Sequence, residues 1–136
     1  MSELARVESI ALARKPARFG RAHLIALVAP YACALIVLRD IVFDCRTQFA
    51  EPSFALFSAI VAPFFGPFLG RYATAGEMHT GAHPVDLFTP SLALLALGIA
   101  SQAAPLSIAR TRLFFWTVGW TAWFTAAFFS LMQVLG

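Results

Sequence analysis

Apolar residues are collected in four long segments, which shorter polar stretches separate. The segments cover about residues 22–40, 53–70, 88–109 and 113–135. A transmembrane helix needs ~20 predominantly apolar residues, and these segments do not alternate apolar and polar positions as the strands of a membrane barrel do. The pattern predicts an all-α integral membrane protein, in which residues 22–136 form one domain, a small bundle of four transmembrane helices.

A basic stretch, residues 1–21, precedes the first apolar segment. In a helix, Leu4, Val7 and Ala11 share one face, and Pro16 ends the pattern. This arrangement predicts an amphipathic arm that lies on the membrane surface, with a frayed, positively charged tail as the alternative. Its basic residues are Arg6, Arg14, Lys15, Arg18 and Arg21.

Composition supports the membrane assignment. The chain has 136 residues, 60% of them hydrophobic and only 12% charged, whereas about a quarter of the residues in a soluble domain are charged. The two cysteines are too few for a disulfide scaffold, and the hydrophobicity excludes a disordered chain. The net charge of +3 is concentrated in the arm, which indicates contact with anionic lipid of a bacterial inner membrane and not with nucleic acid.

Basic residues also bear on orientation, because cytoplasmic loops of membrane proteins are enriched in Lys and Arg. The basic arm predicts a cytoplasmic N-terminus. Four alternating spans then place Arg110 and Arg112 on the outer side, whereas a re-entrant second segment brings both of them inside. The charge count favours the re-entrant version. Because the second segment is long enough to cross and Pro is common in membrane helices, we take four spans as the prediction.

Small residues recur at helical spacing in three segments, and such stripes let the backbones of two helices approach closely. We predict that they pack the helices of this chain against one another, with contact to another subunit as the alternative. The residues are Ala55, Ala59, Ala62, Gly66 and Gly70 in the second segment, Ala93, Ala96, Ala100 and Ala104 in the third, and Gly119, Ala122 and Ala126 in the fourth.

The fourth segment also carries an aromatic face and a hydroxyl face. The aromatic face consists of Trp116, Trp120 and Trp123. A deep aromatic strip can face lipid, pack within the bundle, or contact a partner subunit, a pigment or a quinone. We take the tryptophans as candidate partner or pigment contacts. The hydroxyl face consists of Thr117, Thr121 and Thr125, which can bond within their own helix or across to another.

Residues able to do chemistry are few and scattered. His79 and His83 lie in a loop with two carboxylates and are weak candidates for a metal site, because Gly81 and Pro84 favour a solvated loop. Gln102 and Gln133 are suited to hydrogen bonds between helices. Since no nucleophile and base fall in register, we predict neither an enzyme nor an intrinsic cofactor.

These features together predict a non-catalytic accessory subunit of a larger bacterial membrane complex, an energy-transducing one of the respiratory or photosynthetic kind, whose partners are other membrane subunits and lipid. The alternative is a small homo-oligomeric transporter or channel. In that case the second segment lines the path around Pro63, Gly66 and Pro67.

Overall fold

The computed structural model describes residues 3–13, 19–44, 52–75, 86–103 and 108–135. These residues form helices and no strand, so the predicted all-α class is confirmed. His79 and His83 lie outside the described residues. The helices are α1 (Glu3–Ala13), α2 (Arg21–Asp44), α3 (Pro52–Ala75), α4 (Phe88–Ala103) and α5 (Ala109–Leu135).

The helix α5 is the centre of the fold and contacts α2, α3 and α4. One core cluster joins Leu38 of α2 and Ala59 of α3 to Leu131 near the end of α5. A second cluster joins Ala34 of α2 and Phe88 of α4 to Phe124 in the middle of α5. The arm helix α1 forms as the sequence predicts, and its Leu4 and Val7 are exposed.

Glycine makes two close helix crossings possible. A Cβ atom built on Gly66 of α3 would lie 2.6 Å from the carbonyl oxygen of Ala127 in α5. Where α4 crosses α5, a Cβ atom on Gly98 would lie 2.7 Å from the carbonyl oxygen of Phe115, and one on Gly119 would lie 2.8 Å from that of Leu94. Because no side chain fits between the backbones, both crossings depend on glycine.

Two prolines are accommodated inside α3. Pro63 and Pro67 are fully buried, although each lacks the N–H that an α-helix normally donates. The Tyr31 hydroxyl of α2 donates to the carbonyl oxygen of Ile60 at 3.0 Å, one turn before Pro63. The carbonyl that loses its usual donor to Pro63 is that of Ala59, four residues earlier, so the Tyr31 bond is an additional contact between α2 and α3.

The helices do not follow a simple up-and-down order. Gly66 lies against Ala127 and Phe68 against Trp123, so α3 runs antiparallel to α5. The helix α4 also runs antiparallel to α5, because Phe88 packs on Trp123 and Gln102 bonds the carbonyl of Arg112. Consecutive helices α3 and α4 therefore point the same way, which differs from the alternation that the sequence predicts.

The helix α4 is also shorter than a transmembrane helix. The helix has 16 residues, about 24 Å at 1.5 Å per residue, which is short of a hydrocarbon core of ~30 Å. It begins beside Trp123, near the middle of α5, and ends at Ala103, two residues before Pro105, which disfavours helix in the residue preceding it. Of the predicted segment 88–109, residues 88–103 form α4, and Ala109 is the first residue of α5.

Candidate functional site

One face of the central helix α5 is left uncovered between α2 and α4. Thr121 and Thr125 are exposed on this face, and Thr117 is half-buried at its edge. The Thr117 hydroxyl donates to the carbonyl oxygen of Leu113 at 2.8 Å, within its own helix. We call the surface formed by Thr117, Thr121 and Thr125 the threonine face.

Two grooves border the threonine face. The groove between α4 and α5 has a volume of about 570 Å³, and Leu94, Ala122 and Phe129 are among the residues that line it. The groove between α2 and α5 has a volume of about 310 Å³. Thr121 and Thr125 belong to both linings, which are otherwise almost wholly apolar. The threonine face is thus a ridge with weak polarity between two apolar depressions.

The aromatic face of α5 is directed into the bundle. Trp116 is 9% exposed and Trp123 is 5% exposed. The Trp123 ring packs on Phe68 of α3 and Phe88 of α4, with ring centroids 5.7 and 6.2 Å apart. Trp120 is half-buried and stacks on Phe124 at 5.6 Å. These rings fill the space between helices of the chain, so contact of Trp116 or Trp123 with another subunit or a pigment would require the bundle to open.

The small residues singled out in the sequence lie on several surfaces. Ala59, Ala62 and Gly66 are buried on the side of α3 that packs against α5 and α2. Gly119 faces α4, Ala126 is buried, and Ala122 is half-buried in the groove between α4 and α5. The stripe predicted in the third segment is wrong, because Ala93, Ala96 and Ala100 are exposed and α4 meets α5 through Gly98 instead. The surroundings of Ala55 and Gly70 in α3, and the structure of Ala104, are outside what the structure describes.

A polar network joins three helices at one end of the bundle. The Gln102 Nε2 of α4 donates to the carbonyl oxygens of Gly98, at 3.1 Å, and Arg112, at 2.9 Å. The Gln102 Oε1 therefore faces His23 of α2, whose Nε2 lies 2.9 Å away. Because an amide oxygen only accepts, His23 must carry its proton on Nε2. The Trp116 indole of α5 completes the network by donating to the carbonyl oxygen of His23 at 3.0 Å.

This network could be predicted only in part. An amide within an apolar segment signals a bond between helices, and Gln102 makes such bonds. The start of the first apolar segment gave no comparable signal for His23, because a histidine beside Arg21 is typical of a membrane interface. Its role emerges from the packing of Phe19 and Trp116 around it, with ring centroids 5.5 and 5.8 Å from the imidazole.

Replacing Gln102 by Leu is expected to lower the free energy of unfolding by about 1–3 kcal/mol, because the substitution leaves the His23 Nε2–H without its partner. The matched control is Gln133→Leu, since the Gln133 Oε1 has no hydrogen-bond partner among the described residues. Unfolding in mixed micelles, followed by tryptophan fluorescence, measures both variants. Equal stability of the two would contradict the role given to the network.

Metal binding has no support within the described part of the chain, where no group of three or more His, Cys, Asp or Glu side chains comes together. Among the described residues, one helix is long and apolar enough to cross a membrane. It is α2, in which the stretch Arg21–Asp40 has a mean hydropathy of 1.9. Comparison with protein-family models, curated proteins and solved structures gives no match to this chain.

Proposed function

We propose that this chain is an integral protein of a bacterial inner membrane, in which α3 and α5 join α2 in crossing the bilayer. Only 6% of the apolar stretch in α2 is buried inside the chain, whereas the core helix of a soluble protein is mostly buried. Large apolar side chains are exposed on the other long helices as well, and lipid is the solvent that tolerates them. Examples are Leu56, Phe57 and Phe65 on α3 and Phe114, Phe129 and Met132 on α5.

Within the membrane, we propose the role of a non-catalytic accessory subunit that binds another membrane protein through the threonine face. The observation that carries this proposal is the exposure of Thr121 and Thr125 on the helix that forms the centre of the fold. A hydroxyl group in hydrocarbon is unfavourable without a partner, and Ser and Thr commonly bond across helix interfaces. The two grooves beside these threonines give the side chains of a partner helix space to interdigitate.

The proposal is tested by gentle extraction of the tagged chain from its native membrane and native mass analysis of what accompanies it. We expect a heavier complex with defined membrane partners. Their identity also tests the expectation of an energy-transducing assembly. A monomer alone, or an oligomer of this chain alone, would overturn the accessory-subunit proposal.

A double variant locates the contact. Thr121→Leu with Thr125→Leu removes both hydroxyls and fills the adjoining grooves, so we expect at least a tenfold loss of co-purified partner. The matched control replaces exposed apolar residues that line neither groove, namely Phe57→Leu and Leu97→Val. Equal loss of partner in the control, or full retention in the threonine variant, would place the contact elsewhere.

The second candidate function is transport or conduction by a homo-oligomer. It is favoured by the start of α4 near the middle of α5, where Asp86 caps the helix by accepting from the backbone N–H of Phe88 at 3.0 Å. Helices that begin at mid-depth are frequent around the binding sites of transporters. Against it, Gly66 and the two prolines of α3 are buried against neighbouring helices and do not line an opening within one chain. An oligomer of this chain with measurable ion or solute flux would favour this function.

A further inference from the structure

The three hydroxyls of the threonine face differ in their hydrogen bonding. The Thr117 hydroxyl donates to the carbonyl oxygen of Leu113 at 2.8 Å, a bond that threonine often makes within its own helix. Thr121 and Thr125 follow at the same helical spacing, yet neither hydroxyl has a hydrogen-bond partner in the described part of the chain. Each of these two hydroxyls therefore has a proton to donate and an oxygen that can accept.

In the proposed membrane location, these two hydroxyls lie near the middle of the bilayer. The helix α5 has 27 residues and is about 40 Å long, and Thr121 and Thr125 lie about 18 and 24 Å from its start. With a hydrocarbon core of ~30 Å centred on α5, lipid headgroups on either side are more than about 10 Å away. Because the hydrocarbon contains no water to bond a hydroxyl, the partner of these threonines is itself a molecule within the membrane.

We propose that a transmembrane helix of the partner subunit places the carboxamide of an Asn or Gln between Thr121 and Thr125. The inference rests on the proposed function and adds the chemistry by which the partner is recognised. A carboxamide oxygen accepts and its NH2 group donates, so one such side chain can bond both hydroxyls. The two threonines are about 6 Å apart along the helix axis, a distance that one carboxamide with a hydrogen bond at each end spans.

The surroundings of the two threonines favour an amide on a helix over other acceptors. A charged side chain could also bond both hydroxyls, but its transfer into hydrocarbon is far less favourable than that of an amide. The two grooves beside Thr121 and Thr125 are almost wholly apolar. They match a helix that has apolar side chains on both sides of a single polar residue, because these side chains fill the grooves while the amide meets the hydroxyls.

Thr121→Val with Thr125→Val tests the hydrogen bonds, because valine keeps the shape of threonine and lacks the hydroxyl. One hydrogen bond between membrane helices contributes about threefold to affinity, so the double variant should bind the native partner about eightfold more weakly. Dilution of the extracted complex, followed by native mass analysis, measures this affinity. Thr121→Ser with Thr125→Ser is the matched comparison. It keeps both hydroxyls and lacks two methyl groups, and we expect it to retain more partner than the valine variant.

A photo-cross-linker identifies the partner residue. Phe129 lines the groove between α4 and α5 and is 51% exposed. Its replacement by p-benzoylphenylalanine keeps an aromatic side chain at this position. We expect cross-links to a transmembrane segment of the partner that carries Asn or Gln within two turns of the cross-linked residue. Replacing that amide by Leu should weaken the complex as much as the valine variant does.

The outcomes separate this inference from the proposed function. Full retention of the partner by the valine variant, or an equal loss in the serine variant, would overturn the inference. The proposed function would still hold if the leucine variant of the same two threonines loses the partner, and it would fail if that variant also retains it. A cross-linked partner segment without an amide, a cross-link within this chain, or a lipid-soluble small molecule retained in place of a protein would each overturn the inference.

Discussion

Gly66→Leu is expected to prevent α3 from packing on α5 and to leave the chain without its folded bundle. A Cβ atom at this position would lie 2.6 Å from the carbonyl oxygen and 2.8 Å from the Cα of Ala127. Both neighbours are backbone atoms of a helix that is packed on several sides, so they cannot move aside as a flexible side chain does. Overpacking a core usually costs about 1–3 kcal/mol, and we expect a loss above this range because the two helices must separate.

Resistance to trypsin and unfolding in mixed micelles measure this effect. The matched control is Ala96→Leu, which also introduces a leucine but at an exposed position of α4. We expect the control to remain within about 0.5 kcal/mol of the unmodified chain. Stability of Gly66→Leu equal to that of the control would contradict the close α3–α5 crossing.

The position of Gly66 also changes how a functional assay must be interpreted. If the second apolar segment lined a conduction path, a leucine at Gly66 would block it without unfolding the chain. Because Gly66 packs against Ala127, the same substitution removes the fold, and a loss of flux would not identify a path. Variants on exposed surfaces, such as Thr121→Leu, separate assembly from folding more cleanly.

The helices themselves could be predicted from the sequence because apolar length is a local property. Each apolar segment is long enough for a helix to form, and in the apolar solvent of the proposed membrane location the backbone has few alternatives. Hydrogen bonds between helices could also be predicted for Gln102, an amide isolated among apolar residues. The same argument fails for the Oε1 of Gln133, which has no hydrogen-bond partner among the described residues. These predictions depend on short stretches of chain and require no knowledge of neighbouring helices.

The inward and outward faces of α5 could not be predicted in the same way. Helical periodicity places the tryptophans on one face and the threonines on another, but it does not decide which face is covered. In water the apolar face would be buried, whereas in the proposed membrane location lipid is as apolar as the tryptophans and gives no such preference. The aromatic face is inward because Phe68 and Phe88 of α3 and α4 provide rings against Trp123.

The direction of α4 could not be predicted from the apolar pattern either. Residues 88–109 read as one continuous apolar segment, although the helix ends at Ala103 and the next begins at Ala109. The distribution of arginine does indicate on which side of the bundle α5 begins. An arrangement with Arg110 and Arg112 on the side of the basic arm agrees better than four alternating spans with the enrichment of basic residues in cytoplasmic loops. The structure has this arrangement, because the bundle brings the starts of α2 and α5 together.

Cysteines placed at Gly20 and Ala109 are expected to react from the same side of the membrane, and a C-terminal fusion is expected to lie on the other side. Gly20 and Ala109 are exposed and stand at the starts of α2 and α5, which the bonds of Gln102 hold together. Because α2 and α5 run parallel, a membrane that encloses the bundle must be crossed an odd number of times between Gly20 and the end of α5. Four alternating spans would instead place Ala109 on the side opposite to Gly20 and the C-terminal fusion on the same side as Gly20.

The measurement uses Gly20→Cys and Ala109→Cys separately, in a chain whose Cys33 and Cys45 are replaced by Ser. A membrane-impermeant maleimide should label both positions in inverted vesicles and neither in intact spheroplasts, since the positive-inside rule places the basic arm in the cytoplasm. Alkaline phosphatase fused after Gly136 should be active outside the cytoplasm. Labelling of Ala109→Cys from the side opposite to Gly20→Cys would restore four alternating spans, because only then would α2 and α5 begin on different sides of the membrane. A single side for both cysteines means that either α3 or α4 does not cross the bilayer. Of the two, α4 is the shorter, with 16 residues, and it begins beside Trp123 near the middle of α5.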